Sequence, residues 1–269
     1  MLRAFAFASA TLIWATGAMA QAQVSVAMDR LGIADMVEIM RVEGVDYAQT
    51  LNDEMLDGQG GPLWDTQLAG IYNAGRMIET VRGALATIPD DHLRAINVFY
   101  GSDIGRQVIS LELAARRAVM DTELETIARD AYAQAVHDDS PQVAQIQLLE
   151  QSGDMIERNV TGALTANYQF YLGMVDGNAF AMSEDEIIAE AWAQEDDIRT
   201  DTTSWLMGYL LLSYDPLDDD AFDAYLTFAQ TPAGRALNSA IFEGFNAMYS
   251  DISYALGRAV ALNMIGDDL

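Results

Sequence analysis

One pattern, written twice, constrains this chain most. Phe99, two spacers, Ser102, two spacers and Gly105-Arg106 recur 129 positions later as Phe228, Thr231 and Gly234-Arg235. Each copy spells a tight turn between two helices. Ser102 and Thr231 are favoured N-caps, because a side-chain oxygen there accepts a backbone N–H that the first helical turn leaves unpaired. Pro232 follows at the first helical position, where its missing N–H costs nothing. A new helix is therefore expected near residue 103 and again near 232. Gly105 and Gly234 fall on its first turn, where a helix former would be better by roughly 1 kcal/mol, so a neighbour must come too close for a side chain. The helix before the turn is that neighbour. Arg106 and Arg235 stand where a cation opposes the helix dipole, which implies a carboxylate partner or a bound anion. Asp90 or Asp91 is the expected partner of Arg106. Asp219, Asp220 or Asp223 is the expected partner of Arg235.

The opening residues read as an address. Arg3 is followed by the apolar run Ala4 to Gly17 and by Ala18-Met19-Ala20, a small-residue cleavage site. Residues 1–20 are thus expected to be a signal peptide, with Ala20-Gln21-Ala22 as a second acceptable site. Its 14 apolar residues are fewer than the ~20 that span a bilayer. The product is expected in the periplasm, soluble, with no membrane span once the signal is removed. The absence of Cys excludes a lipid-modified cysteine and disulfides, so stability must come from the core alone.

Apolar spacing of three and four residues runs through the rest, giving an all-α fold, a helical bundle of two similar halves. Residues 24–137 form the first repeat and 141–266 the second, with Asp138-Asp139-Ser140-Pro141 between them. Each half holds a short helix, the Ser/Thr-x-x-Gly-Arg turn and a long amphipathic helix. In the first half, two short pieces broken near Gly44 precede a loop at Asp57 to Pro62, a helix from Trp64 to Ala86, a short one from Pro89, and one from Ser102 to about Val136. Val108, Leu111, Ala115, Val119, Leu124, Ile127 and Ala131 give the last of these its apolar stripe. In the second, residues 142–175 are helical, Ser183 to Glu186 is a capping box, and Asp218-Asp219-Asp220 opens a helix. Trp205 to Tyr214 reads as buried core. Trp64 and Trp192 lie 128 positions apart, in support of duplication. The clearest stripe, Leu237 to Val260, closes the chain.

These turn residues also carry a resemblance. The run Phe228-Ala229-Gln230-Thr231-Pro232-Ala233-Gly234-Arg235, preceded by acidic residues and an amphipathic helix, resembles the hallmark of the family called domain of unknown function 2059, found in exported bacterial proteins. The first copy differs in having Asp103 where that family more usually has Pro. The resemblance implies an all-helical domain in two copies and an exported product, without an established activity.

Chemistry is legible mainly by exclusion. All 14 basic residues are Arg, so there is no P-loop lysine and no Schiff base, and without Cys there is no thiol nucleophile. His92 and His137 are too far apart for a zincin or di-iron motif and read as helix-end residues. Asp215 to Asp220 lacks the alternating ligands and central Gly of a Ca²⁺ loop. No cofactor or metal is expected, and no catalytic residue. A net charge of -27 repels nucleic acid and anionic lipid, leaving cationic partners, divalent cations or simple solvation. The function expected is a non-enzymatic periplasmic binding or interaction protein, whose partner is another envelope protein or itself. The alternative is a hydrolase of the cell envelope acting through two carboxylates, for which 41 acidic residues provide no specific pair. Ser102, Gly105, Arg106, Thr231, Pro232, Gly234 and Arg235 are the candidate motif residues, structural or binding.

Overall fold

The computed structural model describes residues 21–266, and all their regular structure is helical. The expected signal peptide, residues 1–20, lies outside them. Helix α1 covers residues 21–30, and Gly32, at a φ of 61°, redirects the chain into α2 (Ile33–Met55). There follow α3 (Gly61–Ile71), α4 (Ala74–Leu85), α5 (Asp90–Tyr100), α6 (Asp103–Ala118), α7 (Thr122–His137), α8 (Pro141–Gly153), α9 (Met155–Asp176), α10 (Glu184–Trp192), α11 (Glu195–Tyr214), α12 (Asp219–Ala229) and α13 (Pro232–Gly266). No helix among the described residues is long and apolar enough to cross a membrane.

Several boundaries differ from the sequence reading, each for a local reason. Helix α2 runs unbroken through Gly44, where the Tyr72 ring occupies the space a side chain would take, 2.2 Å from the position of a Cβ. The helix expected from Trp64 to Ala86 is two, because Asn73 leaves helical geometry and its side chain accepts from the Arg76 N–H at 3.0 Å. Asp121 does the same between α6 and α7, accepting from the N–H groups of Glu123 and Leu124. Residues 142–175 divide at Asp154, whose φ is 51°. Helix α7 buries Ala128 and packs Tyr132 and Ala135 inward, while Leu124, Ile127 and Ala131 face outward. Trp64 is fully buried in α3, whereas Trp192 ends α10 and is exposed. That pair of tryptophans therefore has no common structural role.

Helix α13 organises the rest. Its 35 residues reach about 52 Å at 1.5 Å per residue, and its other helical neighbours are α2, α3, α5, α8 and α12. It runs parallel to α9. The order is set by Asn246 opposite Gly162, Tyr254 opposite Gly173 and Ala261 opposite Gly177. A Cβ on Gly173 would come within 2.2 Å of the Tyr254 carbonyl oxygen, and one on Gly257 within 2.1 Å of that of Phe170. Backbone thus meets backbone where these glycines cross. On another face α4 runs antiparallel, with Val81 and Ala84 against Gly244. Met248, Leu256 and Val260 are buried between these neighbours, each such side chain contributing about 1.5–3 kcal/mol.

The two Ser/Thr-x-x-Gly-Arg turns repeat each other's capping bonds. Ser102 Oγ accepts from the Gly105 N–H at 3.1 Å and donates to the Phe99 carbonyl at 2.6 Å. Thr231 Oγ1 accepts from Gly234 at 3.0 Å and donates to Phe228 at 2.7 Å. A Cβ on Gly105 would meet the Phe99 carbonyl oxygen at 2.3 Å, and one on Gly234 would meet that of Phe228 at 2.2 Å. The preceding helix is indeed the close neighbour. The arginines take different partners from those expected. Arg106 donates to the Gly101 carbonyl and to Asp103, and Arg235 donates to the Gln230 carbonyl. Each guanidinium reaches the negative, carbonyl end of the helix before the turn, which offsets its unfavourable place at the start of the next. Asp90, Asp91, Asp219, Asp220 and Asp223 are not their partners. Asp218 instead caps α12 through the Ala221 N–H at 2.8 Å.

Candidate functional site

The two turns bring their aromatic residues together beneath a cavity of about 290 Å³. Helices α2, α5, α6, α8, α9, α11, α12 and α13 all contribute to its wall. Most of that wall is apolar, including Ile33, Met36, Leu149, Leu237 and Ile241. Helix α6 supplies the charges. Glu112 and Arg116 sit one turn apart on it, so both face the same side.

Arg116 is held by two partners. Its guanidinium makes a two-pronged ion pair with Glu43 of α2, and both side chains are largely buried. It also lies 5.4 Å from the centroid of the Trp205 ring. Trp205 in turn stacks on Tyr209 one turn along α11, with centroids 5.3 Å apart and planes 4° from parallel. Burial outweighs the guanidinium beside Glu43 and holds that carboxyl above the usual carboxylate range. Glu43 opens onto a second cavity of about 510 Å³, Arg116 onto the first, and Met40 onto both. The ion pair is therefore part of the partition between the two spaces.

Glu112 is held by phenols alone. Tyr214 of α11 donates to its Oε1 at 2.6 Å, and Tyr225 of α12 lies 3.3 Å from the same oxygen. Tyr209 donates to the Glu112 backbone carbonyl at 3.2 Å. The other carboxylate oxygen accepts none of the hydrogen bonds found among the described residues. Part of Glu112 borders the cavity, which leaves it partly exposed by area although protein surrounds it. Burial pushes its carboxyl up, with the Tyr214 and Tyr225 hydroxyls pulling the other way. The same burial, with the Glu112 charge next in effect, raises Tyr100, Tyr209, Tyr214 and Tyr225. These phenols stay neutral, as hydrogen-bond donors, throughout the physiological range.

Of the candidate motif residues, Gly234 borders this cavity, with Tyr100 and Phe228 beside the turns. Ser102, Gly105, Arg106, Thr231, Pro232 and Arg235 do not border it, and Arg106 and Arg235 are exposed. The charged and aromatic lining, Glu112, Arg116, Trp205, Tyr209, Tyr214 and Tyr225, is not among the residues the turn motif points to. One signal for it does exist in the sequence. Glu112 falls four residues after Val108 and three before Ala115, on the apolar side of its helix, where a carboxylate is out of place.

Among the described residues, Glu112 is the one acid on this cavity's wall. Hydrolysis by two carboxylates uses acids about 5 to 9.5 Å apart across a shared space, and this wall presents no such pair. Among the described residues no group of three His, Asp or Glu side chains is placed to hold a metal ion. What the arrangement can do is enclose a small apolar body and offer one carboxyl and several phenols to a polar group on it. No protein-family model, no curated protein and no solved structure matches this chain.

Proposed function

We propose that this chain is a non-enzymatic binding protein of the bacterial periplasm, and that its ligand is a small, mostly apolar molecule held in the cavity beside Glu112. The cavity carries this reading. It is lined by apolar and aromatic side chains with few polar groups, the usual composition of a small-molecule site. The leader-like residues 1–20 and the resemblance to exported proteins support the compartment. The shared capping bonds of the two turns support an origin by duplication, with Phe99 of one copy stacked on Phe228 of the other.

Fluorescence titration with N-phenyl-1-naphthylamine, an uncharged apolar dye, tests the reading. Saturable enhancement at one site per chain is expected, together with displacement by 1-octanol. Replacing Leu237 by Trp should narrow the cavity and weaken the signal while circular dichroism shows an intact helical fold. A dye signal unchanged by that substitution would place binding elsewhere and overturn the proposal.

A further inference from the structure

The cavity holds one charge that the protein does not match. Glu112 takes part in none of the ion pairs among the described residues. Arg116 also borders the cavity, but its charge is met by Glu43. An unpaired buried carboxylate is costly, and hydroxyl donors offset that cost only in part. A proton on Glu112 is one way to remove that charge. A ligand has another way to do so, by bringing a positive charge of its own.

We propose that the ligand is an apolar amine or ammonium compound whose cationic head sits against Glu112, between the rings of Tyr209, Tyr214 and Tyr225. This rests on the reading of the cavity as a small-molecule site and adds the chemical class. Independent observations agree on it. Both phenols that reach Glu112 approach Oε1, so the carboxyl keeps capacity for a further donor. An ammonium group supplies donors but accepts nothing, as this oxygen requires. Aromatic residues line the same wall, with Tyr209, Tyr214 and Tyr225 reaching Glu112 itself, and an aromatic lining favours a cation over an anion. The whole chain carries a net charge of -27 without one Lys, a field that concentrates cations near the surface and repels anions. Beyond the head, Ile33, Leu149 and Leu237 accommodate an apolar tail.

Isothermal titration of the chain lacking residues 1–20 with n-octylamine, 1-octanol and octanoate at neutral pH tests the class. These ligands share a tail and differ in the head. Octylamine is expected to bind at least tenfold more tightly than octanol, and octanoate most weakly. In Glu112→Gln the octylamine affinity should fall at least tenfold while octanol changes less than threefold. Octanol or octanoate binding wild type as tightly as octylamine overturns the cationic class and leaves the apolar site standing; this comparison needs no variant to fold. An amine preference that survives Glu112→Gln overturns the role of Glu112. If none of the three binds, the small-molecule site and the class fall together.

Discussion

Phe99 and Phe228 lie face to face, 4.1 Å between ring centroids and 4° from parallel, although 129 positions separate them. Each ring sits three residues before the Ser or Thr that caps the next helix, so the stack fixes one turn against the other. Offset aromatic pairs contribute about 0.5–1.5 kcal/mol beyond the area they bury. Urea denaturation of Phe99→Leu, Phe228→Leu and the double variant should therefore give a coupling energy of about 1 kcal/mol in a double-mutant cycle. A coupling near zero would mean that the rings are adjacent without helping one another.

Glycines separate close approach from mere helix content. Gly105→Ala and Gly234→Ala should each cost about 2–4 kcal/mol, as overpacking against backbone does at its more severe end, because the new methyl would collide with a carbonyl oxygen of the preceding helix. Gly83 lies within α4 and a Cβ there meets nothing within 4 Å. Gly83→Ala should instead stabilise by about 0.5–1 kcal/mol. Thermal melts of the three variants test the contrast, and equal losses at all of them would contradict it.

Exposure makes the two turn arginines minor contributors. Arg106→Ala and Arg235→Ala should each cost about 0–1 kcal/mol, the range of exposed pairs, and the loss at Arg106 should shrink in 1 M salt. By contrast Arg116→Ala strands the largely buried Glu43 and should cost about 3–5 kcal/mol. Chemical denaturation of the three variants measures the difference. A loss at Arg235 as large as that at Arg116 would show that its bond to the Gln230 carbonyl matters far more than its exposure allows.

The sequence made the turns legible because capping is local: Ser102, Gly105, Thr231 and Gly234 act on atoms within a few residues of themselves. All-α architecture was legible for the same reason, through spacing and caps. Breaks at Asn73 and Asp121 were harder, since neither carries a Gly or Pro beside an otherwise continuous apolar pattern. The site was the least accessible. Glu112 owes its environment to Tyr214 and Tyr225, 102 and 113 positions away, and no local rule reports contacts at that range.

A carboxyl whose folded pKa is raised makes stability fall as pH rises. The folded chain binds the proton more tightly than the unfolded one, so the penalty is absent below the ordinary value of 4.5 and grows as pH climbs through the folded value. Glu112→Gln removes that penalty. The melting temperature of the variant minus that of wild type should increase from pH 4 to neutrality, and differential scanning calorimetry across that interval checks the sign. Exposed acids such as Glu38 and Glu157, held low by Arg41 and Arg199, slope the other way in both proteins and cancel in the difference. A difference that shrinks with pH would show that Glu112 is stabilised as the carboxylate.

The proposed export makes a covalent prediction. Intact-mass measurement of the periplasmic fraction from a bacterium expressing the whole chain should show removal of residues 1–20 or 1–22. Recovery of the uncut chain with the membranes would show that the leader is an anchor.

Helix α13 follows every other described helix in the chain, yet α2, α3, α4, α5, α8, α9 and α12 all pack on it. Synthesis runs from the N-terminus, so helices such as α2 and α4 can pack on one another but lack this shared surface until it has been made. The faces that α13 covers stay open while some two hundred residues accumulate. Mutual repulsion from 41 acids set against 14 arginines keeps waiting molecules apart during that interval, a task for the surface charge that begins before there is a folded surface.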